Sequence, residues 1–216
     1  QESRGLGDVY KRQGEIQDID VFPKNDSYVE LLENLEIMNI SEVNKTQKVG
    51  YFYLIEDNKL GKKTFDRGIC GPPALVGDVV LLGTQGKEAA LLAWDRRLED
   101  TRWKQAGTFC LPPVVRGDTL FVSSEHGLIR AVNFSTGALL WERNLEVLVR
   151  AAPVLRGNRL IVGDGKGVIR GLRLRDGQEA WRDSVDSGVR VRPLVGSEHI
   201  WLGTAAGQIA ALDGTT

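Results

Sequence analysis

"AVNFSTGALLW" (131–141) and "GLRLRDGQEAW" (171–181) stand 40 residues apart. Both place a small residue first, a glycine turn in the middle and a tryptophan last. Working outward from this pair exposes a period that runs through most of the chain. Pro73, Pro113, Pro153 and Pro193 fall on it, and each is followed by a turn and an apolar run. The runs "GDVVLLG" (77–83), "GDTLFVS" (117–123), "GNRLIVG" (157–163) and "SEHIWLG" (197–203) align without a gap. Gly-Asp and Gly-Asn favour tight turns, because glycine accepts positive φ and the short polar side chain satisfies nearby backbone. The Val, Ile, Leu and Phe behind them read as strand.

A second strand follows a second glycine turn in "GLIRAVN" (127–133), "GVIRGLR" (167–173) and "GQIAALD" (207–213). Alternation puts Ile129 and Ala131, Ile169 and Gly171, and Ile209 and Ala211 on one face. "LLAWD" (91–95) supplies Leu91 and Ala93 in the same slots. A last strand ends each unit at Trp103, Trp141 and Trp181. Each unit is thus predicted as four short strands: one at the proline, then three linked by hairpins. "TLFV" (119–122) and "RLIV" (159–162) are apolar on both faces, as in sheets covered on each side. Helical repeats would show a 3.6-residue period, and a parallel β-helix would need shorter coils. The expected fold is all-β, a partial β-propeller of four-stranded antiparallel blades.

The closing stretch resembles the tryptophan-docking motif of PQQ-like (quinoprotein-type) propellers, Ala-x-Asp-x-x-Thr-Gly-x-x-x-Trp. Ala131, Thr136, Gly137 and Trp141 match it, with Asn133 for the aspartate; Gly177 and Trp181 match in the next copy, where Gly171 and Asp176 are weaker substitutes. Ala93, Asp95 and Trp103 match in an earlier copy, "IEDNKLGKKTF" (55–65) is a worn one, and Ala211 and Asp213 open another. The resemblance implies a structural girdle in which the tryptophan of one blade lies on the uncovered backbone of the next, burying ~150–250 Å² per ring. The docking set is Ala93, Trp103, Ala131, Gly137, Trp141, Gly171, Gly177, Trp181 and Ala211.

The units are expected near 51–70, 71–110, 111–150, 151–190 and 191–216, the last being cut short. Residues 1–13, "QESRGLGDVYKRQ", fit no repeat and resemble translated library-adapter sequence, so they are expected to be a non-native tail on a fragment. Within 14–50, "SYVELLENLEIM" (27–38) reads either as a helix, with Ser27 and Glu30 as a capping box, or as diverged blade strands. "FPKND" (22–26) reads as a loop.

The chain has 216 residues, 42% hydrophobic and 26% charged, with net charge −1. That balance removes the usual reason to expect nucleic acid or an anionic membrane surface as partner. No apolar run approaches the ~20 residues of a spanning helix. His126 and His199 stand at different repeat positions and read as surface residues. "GDGKG" (163–167) lies between strands with no helix behind it, so it reads as a hairpin turn rather than a phosphate loop. Cys70 and Cys110 share one repeat slot and are expected as packed small residues; a disulfide would require Cα atoms within ~7 Å. Arg150 and Arg190 hold that slot in later units, and with Arg192 they form the candidate partner site, a positive lip for an acidic partner. Solvated loop charge is the competing reading.

The resemblance implies three function classes. One is a binding module: a scaffold similar to the BamB-type lipoprotein, or the sensor of a receptor or kinase. Another is a PQQ-dependent dehydrogenase, whose calcium-ligand motifs and adjacent cysteines have no match here. The third is a structural piece of an extracellular protein. The expected function is a non-enzymatic protein-interaction module with no cofactor and no metal. By the same resemblance its setting is extracytoplasmic.

Overall fold

The computed structural model describes residues 28–32, 35–40, 50–56 and 59–65 as backbone, and 68–95 and 100–213 in full. The tail at 1–13, the loop at 22–26 and Ser27 lie outside the described residues.

All described elements are strands. The first sheet runs in chain order through β1 (Tyr28–Leu32), β2 (Leu35–Ile40), β3 (Gly50–Glu56) and β4 (Lys59–Phe65). Of the two readings open for 27–38, the structure takes the strands. β1 pairs antiparallel with β2, and β2 with β3 over six positions, from Leu35↔Glu56 to Ile40↔Tyr51. Pairing with 50–56 overrides the local helical spacing of Leu31, Leu32 and Leu35, and it draws 28–40 into the sheet that holds the worn motif copy.

The second sheet contains β5 (Gly68–Ile69), β6 (Ala74–Val76), β7 (Val79–Gln85), β8 (Ala90–Asp95) and β9 (Thr101–Ala106), with β5 and β6 sharing one edge of β7. The third is β10 (Val114–Arg116), β11 (Thr119–Ser123), β12 (Leu128–Asn133) and β13 (Leu139–Asn144). Its strands recur 40 positions later as β14 (Val154–Arg156), β15 (Arg159–Gly163), β16 (Val168–Arg173) and β17 (Glu179–Ser184). β18 (Leu194–Val195), β19 (His199–Gly203) and β20 (Ile209–Asp213) form the last sheet. The fold is therefore all-β, a partial propeller of antiparallel sheets.

The tryptophans sit inside the last strand of their sheets rather than at its end. Trp103, Trp141 and Trp181 pair across with Ala93, Ala131 and Gly171, and each register shifts by one residue directly afterwards. The bulge lets the strand turn from its neighbour there.

Three cores among the described residues are built between two sheets. Val79, Leu81 and Leu91 of the second sheet meet Leu120, Val122 and Val132 of the third. Phe121 and Ile129 of the third meet Leu160, Val162 and Leu172 of the fourth. Ile161 and Ile169 then meet Ile200 and Leu202. Alternation on β11 and β15 thus feeds two interfaces from one strand, and each fully buried branched or aromatic side chain contributes roughly 1.5–3 kcal/mol. Arginines at the ends of first strands add a tie: Arg116 donates to the Gly157 carbonyl, and Arg156 to those of Ser197 and Glu198 at 3.0 and 3.2 Å.

The cysteines correct the sequence expectation. Cys70 and Cys110 form a disulfide with Cα atoms 4.9 Å apart, because the links leading into β6 and β10 run side by side. It closes a span of 40 residues, for which the chain-entropy account gives a stabilisation of roughly 2–4 kcal/mol. Urea unfolding of the oxidised protein against Cys110→Ser is expected to show that loss; an unchanged midpoint would contradict it.

Candidate functional site

Two assemblies stand out above the core: a tryptophan ladder between sheets, and a cleft at their first strands. In the ladder, Trp103 lies against Gly137, where an added Cβ would fall 2.6 Å from the indole. Trp141 lies in the same way on Gly177, again with 2.6 Å to a Cβ. Both glycines hold positive φ, 72° and 66°, so a side chain there meets strain as well as the ring. The indole N–H of Trp103 donates to the Phe134 carbonyl and that of Trp141 to the Leu174 carbonyl, each at 2.7 Å. Ala93 and Ala131 are fully buried on the strands that pair with these tryptophans.

The turns beneath the rings are built differently in the two copies. Asn133 Oδ1 accepts from the Thr136 N–H and hydroxyl at 2.8 and 2.7 Å, while Asp118 receives Asn133 and Ser135. In the next copy Asp176 accepts from the Gln178 N–H at 3.0 Å and pairs with Arg173. Trp181 stands over Gly171 of its own sheet, where a Cβ would fall 2.2 Å from its Nε1. That nitrogen is buried with no hydrogen-bond partner, and Gly214, one repeat beyond Leu174, lies outside the described residues. Ala211 is exposed on β20.

A second periodic set escaped the sequence reading. Thr84, Ser124, Asp164 and Thr204 are buried at one repeat slot, where β7, β11, β15 and β19 run into the following turn. Each side-chain oxygen accepts from the backbone beyond the turn: Thr84 from Ala90, Ser124 from Leu128, Asp164 from Lys166 and Val168, and Thr204 from Gln208. The available signal was a small polar residue closing each apolar run at the same spacing. Asp164 adds a buried ion pair, 2.7 Å to Arg170 Nη1, and Arg170 also faces Glu179 at 3.4 Å. "GDGKG" is accordingly a turn held from inside by its own aspartate.

The three candidate arginines have different surroundings. Arg150 is exposed and 3.6 Å from Glu125, a pair worth ~0–1 kcal/mol at the surface. Arg190 is exposed, and its backbone N–H donates to the Gly203 carbonyl at 3.1 Å. Arg192 borders a cleft of about 570 Å³ that spans the first strands of three successive sheets. Pro113 and Val115 at β10, Val154 and Leu155 on β14, and Leu194 on β18 supply its apolar walls. Arg192 enters none of the described ion pairs. The cleft thus offers apolar contact beside one exposed cation, within the size range of ligand-binding clefts. His126 and His199 are both exposed and outside it; the His199 ring lies 5.8 Å from that of Trp201. Among the described residues no cluster of three or more His, Cys, Asp or Glu could hold a metal ion.

Repeating antiparallel sheets joined by docked tryptophans define a PQQ-like propeller. Residues 106–216 match the PQQ_2 family, described as Outer membrane protein assembly factor BamB, and the chain belongs to that family. The crystal structure of BamB from Moraxella catarrhalis superposes with a TM-score of 0.71 at 21% identity, over 87% of this chain and 61% of that one. The computationally designed Ika8 protein gives 0.70 at 12% identity, over 86% and 57%. Sqt1 from Saccharomyces cerevisiae gives 0.68 at 11%, over 88% and 58%. At these identities the likeness is one of fold, and the chain spans about three fifths of the length of each structure. No curated protein sequence matches it.

Proposed function

We propose that the chain is a non-catalytic protein-interaction module, and that its cleft receives an extended segment combining aliphatic and acidic side chains. The observation that carries the reading is Arg192 at the rim of an apolar cleft crossing three first strands. Apolar walls supply contact area, and a guanidinium orients a carboxylate with paired N–H donors. Arg190 and Arg150 add positive charge in neighbouring links, although Glu125 offsets the second. Membership of a family described as an outer membrane protein assembly factor supports a scaffold over an enzyme. The Cys70–Cys110 disulfide supports an extracytoplasmic setting, since such bonds persist in oxidising compartments.

Fluorescence anisotropy with dye-labelled decapeptides tests the site. One peptide alternates leucine with aspartate, a second alternates leucine with lysine, and a third pairs leucine with serine. The acidic peptide is expected to bind about tenfold more tightly than the serine peptide, a difference of ~1.4 kcal/mol that shrinks as salt rises. Equal binding of all three would refute the acidic-partner reading. Calorimetric titration with PQQ and calcium tests the non-catalytic half, and tight stoichiometric binding would overturn it.

A further inference from the structure

Of the links that lead into β6, β10, β14 and β18, the first two share a Cys-x-Pro-Pro pattern, "CGPP" (70–73) and "CLPP" (110–113). The later two read "RAAP" (150–153) and "RVRP" (190–193), with arginine in the cysteine slot. Only the early pair is joined covalently, through Cys70 and Cys110. Both cysteines are partly exposed, so a thiolate from solution can reach the bond. The two links also touch through backbone: a Cβ on Gly71 would fall 1.9 Å from the Cys110 carbonyl oxygen.

The bond borders the cleft. Pro113, Val114 and Val115, which follow Cys110 closely in the chain, form one of its walls. Before the cysteine, Phe109 is anchored: it is buried, and the Arg130 guanidinium carbon lies 5.1 Å from its ring centre. After it, pairing resumes at Val114↔Phe121. The stretch 110–113 spans the gap between these anchors, and Pro112 and Pro113 have no N–H with which to tie it to a neighbour. The other end of the cleft, Arg192 with Leu194 and Val195, belongs to a link without a cysteine.

We infer that the Cys70–Cys110 disulfide is a redox latch on the cleft: a dithiol reductant that opens it frees the Pro113 wall and weakens peptide binding, while the preference set by Arg192 is kept. The inference rests on the cleft being the peptide site. A thiolate of the reductant attacks one cysteine sulfur, forms a mixed disulfide and releases the other cysteine as a thiolate, which takes up a proton. The second thiol of the reductant then displaces the first cysteine. The reductant leaves oxidised as its own disulfide, and both cysteines are reduced to thiols. Once the wall is no longer preformed, 110–113 must be ordered during binding, and affinity falls.

Anisotropy titrations with the leucine–aspartate and leucine–serine peptides compare the oxidised protein, the protein reduced with dithiothreitol, and Cys70→Ser/Cys110→Ser with and without dithiothreitol. Hydrogen exchange read by mass spectrometry on the same samples, without peptide, shows where the chain loosens. Reduction is expected to weaken both peptides by a common factor of about three to ten, reversed on reoxidation. The double serine variant binds like the reduced protein and ignores dithiothreitol. Faster exchange is confined to 110–116 and the facing 70–76. Unchanged affinity on reduction overturns the latch, while the acidic preference of the oxidised protein still stands. A preference lost on reduction overturns it as well, because the bond would then act through the arginine end. Exchange that quickens alike in every sheet also overturns it, since the bond would then support the whole fold rather than one wall. If the oxidised protein binds both peptides equally, the peptide reading of the cleft fails first and the latch falls with it.

Discussion

Asp164→Ala is expected to lower the unfolding free energy by about 3–5 kcal/mol, the usual cost of removing one partner from a buried ion pair. The side chain is fully buried, accepts from the Lys166 and Val168 amides at 2.8 and 3.0 Å, and meets Arg170 at 2.7 Å. Its loss strands two amides and leaves Arg170, itself only 8% exposed, with Glu179 alone at 3.4 Å. The equivalent residues Thr84, Ser124 and Thr204 hold their turns with a neutral oxygen, so Ser124→Ala should cost less, about 1–3 kcal/mol. Urea unfolding of both variants at neutral pH checks the ranking, and equal losses would refute it.

The same carboxylate predicts a response to acid. Burial alone would raise the pKa of Asp164, but the Arg170 hydrogen bond, the Val168 and Lys166 amides and the Arg170 charge outweigh it. The folded value lies below the ordinary 3.8. A carboxyl with a depressed folded pKa contributes stability that is present above its unfolded value and lost as pH falls through the folded one. The gap between wild type and Asp164→Ala should therefore be full at neutral pH and narrow below 3.8. A gap that stays constant into strong acid would mean that the ionised form is not what matters.

Trp141→Ala is the other large effect, again about 3–5 kcal/mol. The ring fills the core between the third and fourth sheets, 5.9 Å from the Phe121 ring, and its loss also strands the Leu174 carbonyl. A double-mutant cycle isolates the docking contact. Gly177→Ala drives a Cβ to 2.6 Å from Trp141 and strains a residue at φ 66°; in the Trp141→Ala background the strain and a 2.9 Å approach to the flexible Arg143 side chain remain, but the clash with the ring is gone. The second substitution should cost less there than in the wild type, with a coupling of about 0.5–3 kcal/mol. Additive losses would show that ring and turn do not bear on one another.

The repeat was legible because each of its signals depends on local chain geometry. Alternation, turn glycines and the spacing of tryptophans all lie within one unit and recur in register. The disulfide was not, because spacing along the chain says nothing of how closely two links pass in space, and here Cys70 and Cys110 meet at 4.9 Å. The buried turn slot was partly concealed by its changes of type from Thr84 to Ser124 to Asp164, which share an acceptor oxygen but little else. At 28–40 local spacing allowed two answers, and a pairing partner at 50–56 chose between them. The arginines show the same limit at the surface: adjacency in the repeat grouped Arg150, Arg190 and Arg192, while the fold sets Arg150 beside Glu125 and Arg192 on the cleft.

Charge reversal at the cleft tests the interaction reading most directly. Arg192 is exposed, so Arg192→Glu should leave the thermal midpoint near that of the wild type. Anisotropy titrations of both proteins with the leucine–aspartate and leucine–lysine peptides then give four dissociation constants. The predicted result is a swap of preference, with wild type favouring the acidic peptide and Arg192→Glu the basic one. Unchanged affinities across the four titrations would contradict a partner site at this cleft.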